Sequence, residues 1–166
     1  MFEAEPGPQI HLNAPGGEPL PVARLEAAAR EALTHAKASV GEISITFLAD
    51  EAIHDLNRRY LGRDYVPDVL TFPLGEEGEP VVGDIYVGLA QAGRQAAEAG
   101  ISIEEELVRL VAHATLHLIG FDHPEEEGAR QDSELYRLQE EIVARVSPAE
   151  AGPAPRGSAG SGRGER

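Results

Sequence analysis

Three of the six histidines of the chain lie in one short segment, HATLHLIGFDH, at positions 113–123. His113 and His117 are four residues apart, so on a helix both rings project from one face and can reach the same metal ion. Gly120 permits a reversal of the chain after that helix, which brings His123 back toward the same point. Three neutral imidazoles leave one position of a tetrahedral zinc ion open for water, as in catalytic rather than structural zinc sites.

A second interpretation exists for a pair of helical histidines, which can also form a buried polar pair or a surface pair in an acidic protein. The glycine turn and the third histidine favour the metal site, because three imidazoles that lose water need a partner and one ion serves them all. We therefore expect one zinc ion per chain on His113, His117 and His123, while nickel, copper and iron also suit such ligands. A metal-bound water is the expected nucleophile, and no side chain is assigned as catalytic.

Two neighbouring residues narrow the chemistry of this site. Zinc proteases with the H-E-x-x-H motif have their general base immediately after the first histidine, where this chain has Ala114. A protease is therefore disfavoured, whereas a phosphate ester can be polarised by the metal alone. Asp122 precedes the third histidine, and it either orients an imidazole or caps the turn.

The composition of the chain limits its class and its partners. Its 166 residues suit a single domain with one core, and the absence of cysteine excludes disulfides and thiolate metal sites. The net charge of -15 opposes unspecific capture of a polyanion, so contact with nucleic acid needs local basic residues or a metal. Neither a signal peptide nor a run of roughly 18 apolar residues is recognisable, so we expect a cytoplasmic protein with no membrane contact.

The elements that position the histidines follow from apolar periodicity and from capping residues. Ser102 and Glu105 form a capping box at the start of the histidine-bearing helix, Gly120 is suited to its end, and Asp50 is expected to cap an earlier helix. Helical spacing predicts five helices, at about residues 21–36, 50–60, 88–99, 102–118 and 126–146. Alternating or β-branched runs predict four strands, the last two paired as an antiparallel hairpin, at residues 10–12, 42–48, 69–72 and 81–87.

The end of the chain differs in composition from the rest. Residues 148–166 are rich in proline, glycine, serine and alanine and contain almost no large apolar side chain. Such a segment buries too little apolar surface to offset the entropy lost on ordering. We therefore predict one domain over residues 1–147 and a disordered tail over residues 148–166.

The histidine segment resembles the H-x-x-x-H-x-x-x-x-x-H signature of the YbeY family, the single-strand-specific endoribonucleases and rRNA maturation factors of bacteria. Further family features occur upstream in the same order, namely LN at 56–57, GRD at 62–64, DVLTFP at 68–73 and GDI at 83–85. The resemblance implies an α+β fold, with a small mixed β-sheet of about four strands packed against about five helices. It also implies zinc on the three histidines, a role in 16S rRNA 3′-end maturation and ribosome quality control, and the ribosome or ribosomal proteins as partners.

The chain departs from the family at three positions: Pro67 replaces a usual threonine, Ala114 replaces a usual glycine, and the third departure affects RNA binding. Family members usually carry an arginine, thought to act on the RNA, just before the Gly-[Lys/Arg]-Asp motif, and this chain has Leu61 there. Arg59 and Arg63 are the predicted phosphate-binding residues, since a guanidinium can grip a phosphate with two parallel hydrogen bonds. Alternatively, the two arginines are solubilising charges at a helix end.

Three functions are compatible with these observations. The first is a zinc-dependent endoribonuclease that cleaves single-stranded RNA. The second is a ribosome-associated binding factor with a mainly structural metal and weak nuclease activity, which the net charge of -15 and Leu61 favour. The third is a metal-dependent hydrolase of another ester or an amide. The open three-histidine site favours the first.

Overall fold

The computed structural model of the protein describes residues 7–76, 78–122 and 133–147. These residues form four strands and five helices, and this content confirms the predicted α+β class and the single small domain. In chain order the elements are β1 (Gln9–Asn13), α1 (Val22–Leu33), β2 (Val40–Leu48), α2 (Asp50–Leu61), β3 (Val69–Pro73), β4 (Val81–Gly88), α3 (Leu89–Ala99), α4 (Ile103–Leu118) and α5 (Glu134–Val146).

The strands form one mixed sheet in the order β1-β2-β4-β3. Strand β2 lies parallel to both β1 and β4, and β3 joins β4 in the antiparallel hairpin that the sequence predicted. The side chains of β2 alternate as expected for a strand with one covered face, with Ile43, Ile45 and Phe47 almost fully buried. In this strand order β3 comes last, so β3 is an edge strand of the sheet.

Helix α4 is the central helix of the core. Ten of its sixteen residues are buried, so it is enclosed on most of its circumference. It packs against α1, α3 and α5 and also contacts β3 and β4. Its N-terminus has the predicted cap, because the Ser102 hydroxyl oxygen accepts a 3.0 Å hydrogen bond from the Glu105 backbone N–H. Burial and capping together fix the axis of the helix that carries His113 and His117.

Helix α2 lies on the opposite face of the sheet from α4. The ring of Tyr60 on α2 contacts Phe72 of β3, with ring centroids 6.0 Å apart. On the other face, a side chain at Gly83 would meet Leu118 of α4. Phe72 pairs with Asp84, and neighbouring strand residues such as Asp84 and Gly83 point to opposite faces. The two helices therefore approach the β3 edge from opposite sides.

Some element ends differ from the prediction. Asp50 is the first residue of α2 rather than its cap; Ala49 precedes the helix and makes no side-chain capping bond. Helix α5 begins at Glu134, eight residues later than the predicted 126, because Ser133 is extended and its side chain accepts from the Tyr136 backbone N–H. The predicted tail at 148–166 lies outside the described residues. No helix among the described residues is long and apolar enough to cross a membrane.

Candidate active site

His113 and His117 occupy successive turns of α4, as their spacing predicted. Their ring centroids lie 6.4 Å apart, with an angle of 50° between the ring planes. His113 is half-buried, whereas the His117 side chain is 40% exposed. The pair thus forms a shallow site at which one ring is anchored in the protein and the other faces solvent.

Both imidazoles use their Nδ1 atom to contact an oxygen of the protein. His113 Nδ1 lies 2.8 Å from the Gln139 side-chain oxygen, and His117 Nδ1 lies 3.1 Å from the Phe121 backbone oxygen. Amide oxygens only accept hydrogen bonds, so each Nδ1 is the protonated nitrogen and each Nε2 carries the lone pair. Metal-binding histidines are typically held in this way by the nitrogen that does not bind the metal. The two residues therefore fit a zinc ion, which prefers imidazole nitrogen.

Asp122 contributes a second oxygen to the outer histidine. Its Oδ1 lies 3.1 Å from His117 Nδ1, next to the Phe121 carbonyl. Of the two interpretations of Asp122, this contact supports the one in which the carboxylate orients an imidazole. The turn itself is closed by backbone bonds, since Phe121 N–H donates to Leu116 O and Gly120 has a φ of 114°. Glycine suits that left-handed conformation, as predicted.

The third predicted ligand, His123, lies outside the described residues. Within the residues that the structure does describe, no group of three or more histidine, aspartate or glutamate side chains is arranged to hold a metal ion. The structure therefore brings together two of the three predicted ligands, and zinc binding by all three stays a prediction.

A cluster of charged and amide side chains lies on the N-terminal side of His113, between α4 and α5. Arg109 donates two hydrogen bonds to the Glu140 carboxylate, from Nε at 2.8 Å and from Nη2 at 3.0 Å. It also donates to Glu105 at 3.1 Å and to Glu106 at 3.4 Å. Gln139 completes the cluster, because its Nε2 donates to Glu140 Oε2 at 2.9 Å. The cluster thus connects Arg109 to the residue that holds His113.

The charges of this cluster follow from its contacts. The hydrogen bond with Arg109 lowers the pKa of Glu140 below its ordinary value, and the same bond raises the pKa of Arg109. Burial raises the pKa of Glu106, against the opposing effect of Arg109. Arg109 and Glu140 are therefore both ionised at neutral pH, which makes the Glu140 carboxylate purely an acceptor.

The two predicted phosphate-binding arginines lie at the C-terminal end of α2. Arg59 is on the last turn; its side chain is 62% exposed and its Nε lies 3.4 Å from Asp55 Oδ2. Arg63 is exposed and follows Gly62, whose φ of 68° ends the helix in a left-handed turn. This end of α2 reaches the β3 edge through the contact between Tyr60 and Phe72. The arginines thus lie at the end of a helix on the face of the sheet opposite to α4, the helix that carries the histidines.

An open cavity of about 580 Å³ adjoins the end of the histidine-bearing helix. Leu118, Ile119 and Gly120 form one wall, directly after His117, and the loop between β3 and β4 forms another. Lys37, the only lysine of the chain, also lines it, together with Glu76. The volume lies within the usual range for small-ligand pockets of roughly 300–1,000 Å³.

Comparison with known proteins agrees with this arrangement. Residues 18–147 match the family model described as Endoribonuclease YbeY. The chain belongs to the YbeY family. This match includes strands β2 to β4, all five described helices, and both His113 and His117, whereas β1 precedes it, and it confirms the resemblance seen in the sequence.

Curated members of the YbeY family resemble the chain over most of its length. The relative named Endoribonuclease YbeY from Desulfitobacterium hafniense is 44% identical over 118 residues, which are 65% of this chain and 73% of that protein. The one from Aquifex aeolicus is 38% identical over 110 residues, or 65% of this chain and 72% of that protein. A solution structure of a Thermotoga maritima protein is 29% identical, with a TM-score of 0.57, and the alignment covers 89% of this chain and 100% of that one.

Sequence reasoning did not identify Gln139 or Glu140 as part of the site, and it considered Arg109 only as a reserve candidate for phosphate binding. One signal was present, because Gln139 interrupts the apolar stripe that Leu135 and Ile142 form on α5. A polar residue on the buried stripe of a helix needs a hydrogen-bond partner, and here that partner is His113. The ion pair of Arg109 with Glu140 joins two helices and left no local pattern.

Proposed function

We propose that the protein is a zinc-dependent endoribonuclease, specific for single strands, that acts in 16S rRNA 3′-end maturation and in ribosome quality control. The endoribonuclease activity follows from the family, whose curated members carry that name. The observation that carries the zinc proposal is that His113 and His117, one turn apart, both have Nδ1 bound to a protein oxygen. With the proton on Nδ1, the Nε2 of each ring keeps the lone pair that a metal ion requires.

Some residues of the site would bind the metal ion, and others orient the residues that bind it. When bound, a zinc ion supplies a Lewis acid for a phosphate ester and lowers the pKa of water. Gln139 and the Phe121 carbonyl hold the two imidazoles, while Asp122 adds a negative charge beside His117. The exposure of His117 leaves the site accessible to a long polymer rather than only to a small molecule.

Binding of the RNA backbone is assigned to arginines at the β3 edge. The chain carries a net charge of -15, so attraction of a polyanion has to come from a local group. Arg59 and Arg63 are exposed at the end of α2 and can form bidentate contacts with a phosphate. Because α2 and α4 lie on opposite faces of the sheet, an RNA strand that contacts both these arginines and the histidine site would have to pass around the β3 edge.

The preference for single strands has a geometric basis. The candidate site is shallow and lies beside an open cavity at the end of α4. A single strand can bend its backbone into such a site, whereas a duplex keeps its phosphates on a stiff cylinder and its base edges paired. The 16S rRNA assignment rests on the family resemblance and concerns the substrate in the cell.

A ribosome-associated binding factor with weak nuclease activity is the second candidate, because Leu61 stands where the family usually has an arginine. Cleavage of a single-stranded RNA, compared with the same sequence in a duplex, separates the two candidates. The endoribonuclease proposal predicts cleavage of the single strand by the wild type and loss of cleavage in His117→Ala. His11→Ala is the matched control, since His11 lies on β1, at the other edge of the sheet.

Three outcomes of this assay, with the melting temperature as a measure of folding, distinguish the candidates. The proposal is supported if His117→Ala remains folded, as judged by its melting temperature, and cleaves RNA at least tenfold more slowly than His11→Ala does. Equal rates in the two variants would contradict a role for the histidine site. Absence of cleavage by the wild type, with tight binding to ribosomal subunits, would favour the binding factor.

A further inference from the structure

A continuous chain of hydrogen bonds runs from Arg109 to the candidate ligand His113. Arg109 donates to the Glu140 carboxylate at 2.8 and 3.0 Å. Glu140 Oε2 accepts from Gln139 Nε2 at 2.9 Å, and Gln139 Oε1 lies 2.8 Å from His113 Nδ1. The chain therefore crosses from α4 to α5 and back to α4.

The chemistry of these groups permits only one orientation of the Gln139 amide. A carboxylate accepts hydrogen bonds and donates none, so the NH₂ group of Gln139 has to face Glu140. The amide oxygen then faces His113 and requires a proton on Nδ1. Two bonds from Arg109 hold the Glu140 carboxylate in place, because a guanidinium and a carboxylate match in planar, bidentate geometry.

Burial makes this orientation costly to reverse. Gln139 is only 7% exposed, and the Arg109 and Glu140 side chains are 22% and 33% exposed. Rotation of the amide would place NH₂ against the N–H of His113 and an oxygen against a carboxylate. Water has little access to relieve either contact, and an unsatisfied buried polar group costs about 1–3 kcal/mol.

We propose that Gln139 is a positioning residue, held by Glu140 and Arg109, that fixes His113 in the tautomer with its proton on Nδ1 and its lone pair on Nε2, the nitrogen that would bind a metal. This inference deepens the proposed function, since it concerns the same zinc site. It assigns Gln139 to a ligand-orienting role and not to contact with RNA. His117 Nδ1 has two oxygens beside it, the Phe121 backbone carbonyl and the Asp122 carboxylate, whereas the contact of His113 Nδ1 comes from the Gln139 side chain.

The test measures zinc affinity and tautomer rather than activity. Gln139→Leu removes the acceptor and keeps a similar volume, and it should weaken zinc binding, measured by competition with a chelator, by roughly 10- to 100-fold. In the metal-free variant, nitrogen NMR above the pH range in which histidine titrates should show the His113 proton shared between Nδ1 and Nε2. The wild type should show it on Nδ1.

Two further variants separate positioning from a general loss of stability. Gln139→Glu keeps an acceptor for His113 Nδ1; combined with Glu140→Gln, which removes the opposing carboxylate, it should bind zinc more tightly than Gln139→Leu combined with Glu140→Gln. Gln95→Leu is the matched control, because Gln95 is half-buried on α3 and donates to Asp68 at 3.2 Å, away from His113. Its zinc affinity should equal that of the wild type. If Gln139→Leu fails to fold, Glu140→Gln serves instead, since it removes the carboxylate that orients the amide, and it should weaken zinc binding several-fold.

The results distinguish this inference from the proposed function. If Gln139→Leu binds zinc as tightly as the wild type and His113 is still protonated on Nδ1, the positioning role is overturned. This holds even if the wild type cleaves RNA in a zinc-dependent manner. Weakened zinc binding and an altered tautomer support the role even if the wild type cleaves no RNA, in which case the endoribonuclease proposal fails alone. A wild type that binds no zinc overturns both.

Discussion

Gly83 of β4 lies directly against Leu118 of α4: a methyl group on Gly83 would come within 2.7 Å of Leu118 Cδ1 and 3.1 Å of the Phe72 backbone oxygen. Only a residue without a side chain permits this approach of the helix to the sheet. His117 immediately precedes Leu118, so the contact also sets the distance between the outer candidate ligand and the β3 edge. The glycine of the GDI feature at 83–85 therefore has a packing explanation.

Substitution Gly83→Ala should destabilise the fold. Leu118 is buried, at 8% exposure, and a backbone oxygen limits the space on the other side, so overpacking should cost about 1–3 kcal/mol in the free energy of unfolding. Gly93→Ala is the matched control, because Gly93 lies within α3 and an added methyl group would meet only Ile103 Cδ1 at 3.5 Å. It should stabilise the protein by roughly 0.4–1 kcal/mol. Urea unfolding of both variants measures the difference, and destabilisation of equal size in both would contradict the close packing at Gly83.

The ion pair between Arg109 and Glu140 should make part of the stability dependent on pH. The pKa of Glu140 is lowered in the folded protein, so its contribution is present above the ordinary carboxyl pKa and is lost as the pH falls through the lowered value. Glu140→Gln should therefore be less stable than the wild type by about 1–3 kcal/mol near pH 7, and the difference should shrink below about pH 4. Chemical unfolding at several pH values measures it. A constant difference across that range would mean that the charge of Glu140 contributes nothing.

Arg59 and Arg63 should contribute to RNA cleavage through the phosphate rather than through the fold. Both are exposed at the end of α2, so Arg→Ala at either position should slow cleavage of single-stranded RNA by roughly tenfold or more, with melting temperature and metal content unchanged. Arg30→Ala on α1 changes the net charge equally and pairs with Glu26 as Arg59 does with Asp55, so it is the control. Unchanged kinetics in the Arg59→Ala/Arg63→Ala double variant would move the role to Arg58, Arg94 or a partner protein.

Local signals in the sequence predicted most of the elements. Helix α4 was recognisable because its cap at Ser102 and its apolar stripe both act within a few residues, and the β3–β4 hairpin because its strands are adjacent in the chain. The predicted start of α5 was eight residues too early. The run of glutamates at 125–127 suggested a helix start, whereas Ser133 is the residue that caps the helix. Short-range patterns thus determine where α4 and β3 form.

Relationships between distant segments were harder to predict. The bond from Gln139 to His113 joins residues 26 positions apart, and the pair of Arg109 with Glu140 spans 31. Such contacts depend on how α4 and α5 pack, which no local pattern encodes. The same holds for the arginines, whose position on the α2 side of the sheet follows from its topology. The histidine pair was predictable because one helical turn separates its members.

The most direct measurement of the central claim is the rate of single-stranded RNA cleavage as zinc is returned to chelator-treated protein. If His113 and His117 form a catalytic zinc site, removal of the metal by the chelator should abolish cleavage. Added zinc should restore cleavage in proportion to its amount, with a plateau at about one zinc per chain. The His113→Ala/His117→Ala variant should regain none. The account would be contradicted if wild-type protein, shown by elemental analysis to be free of metal, cleaved the RNA at the full rate.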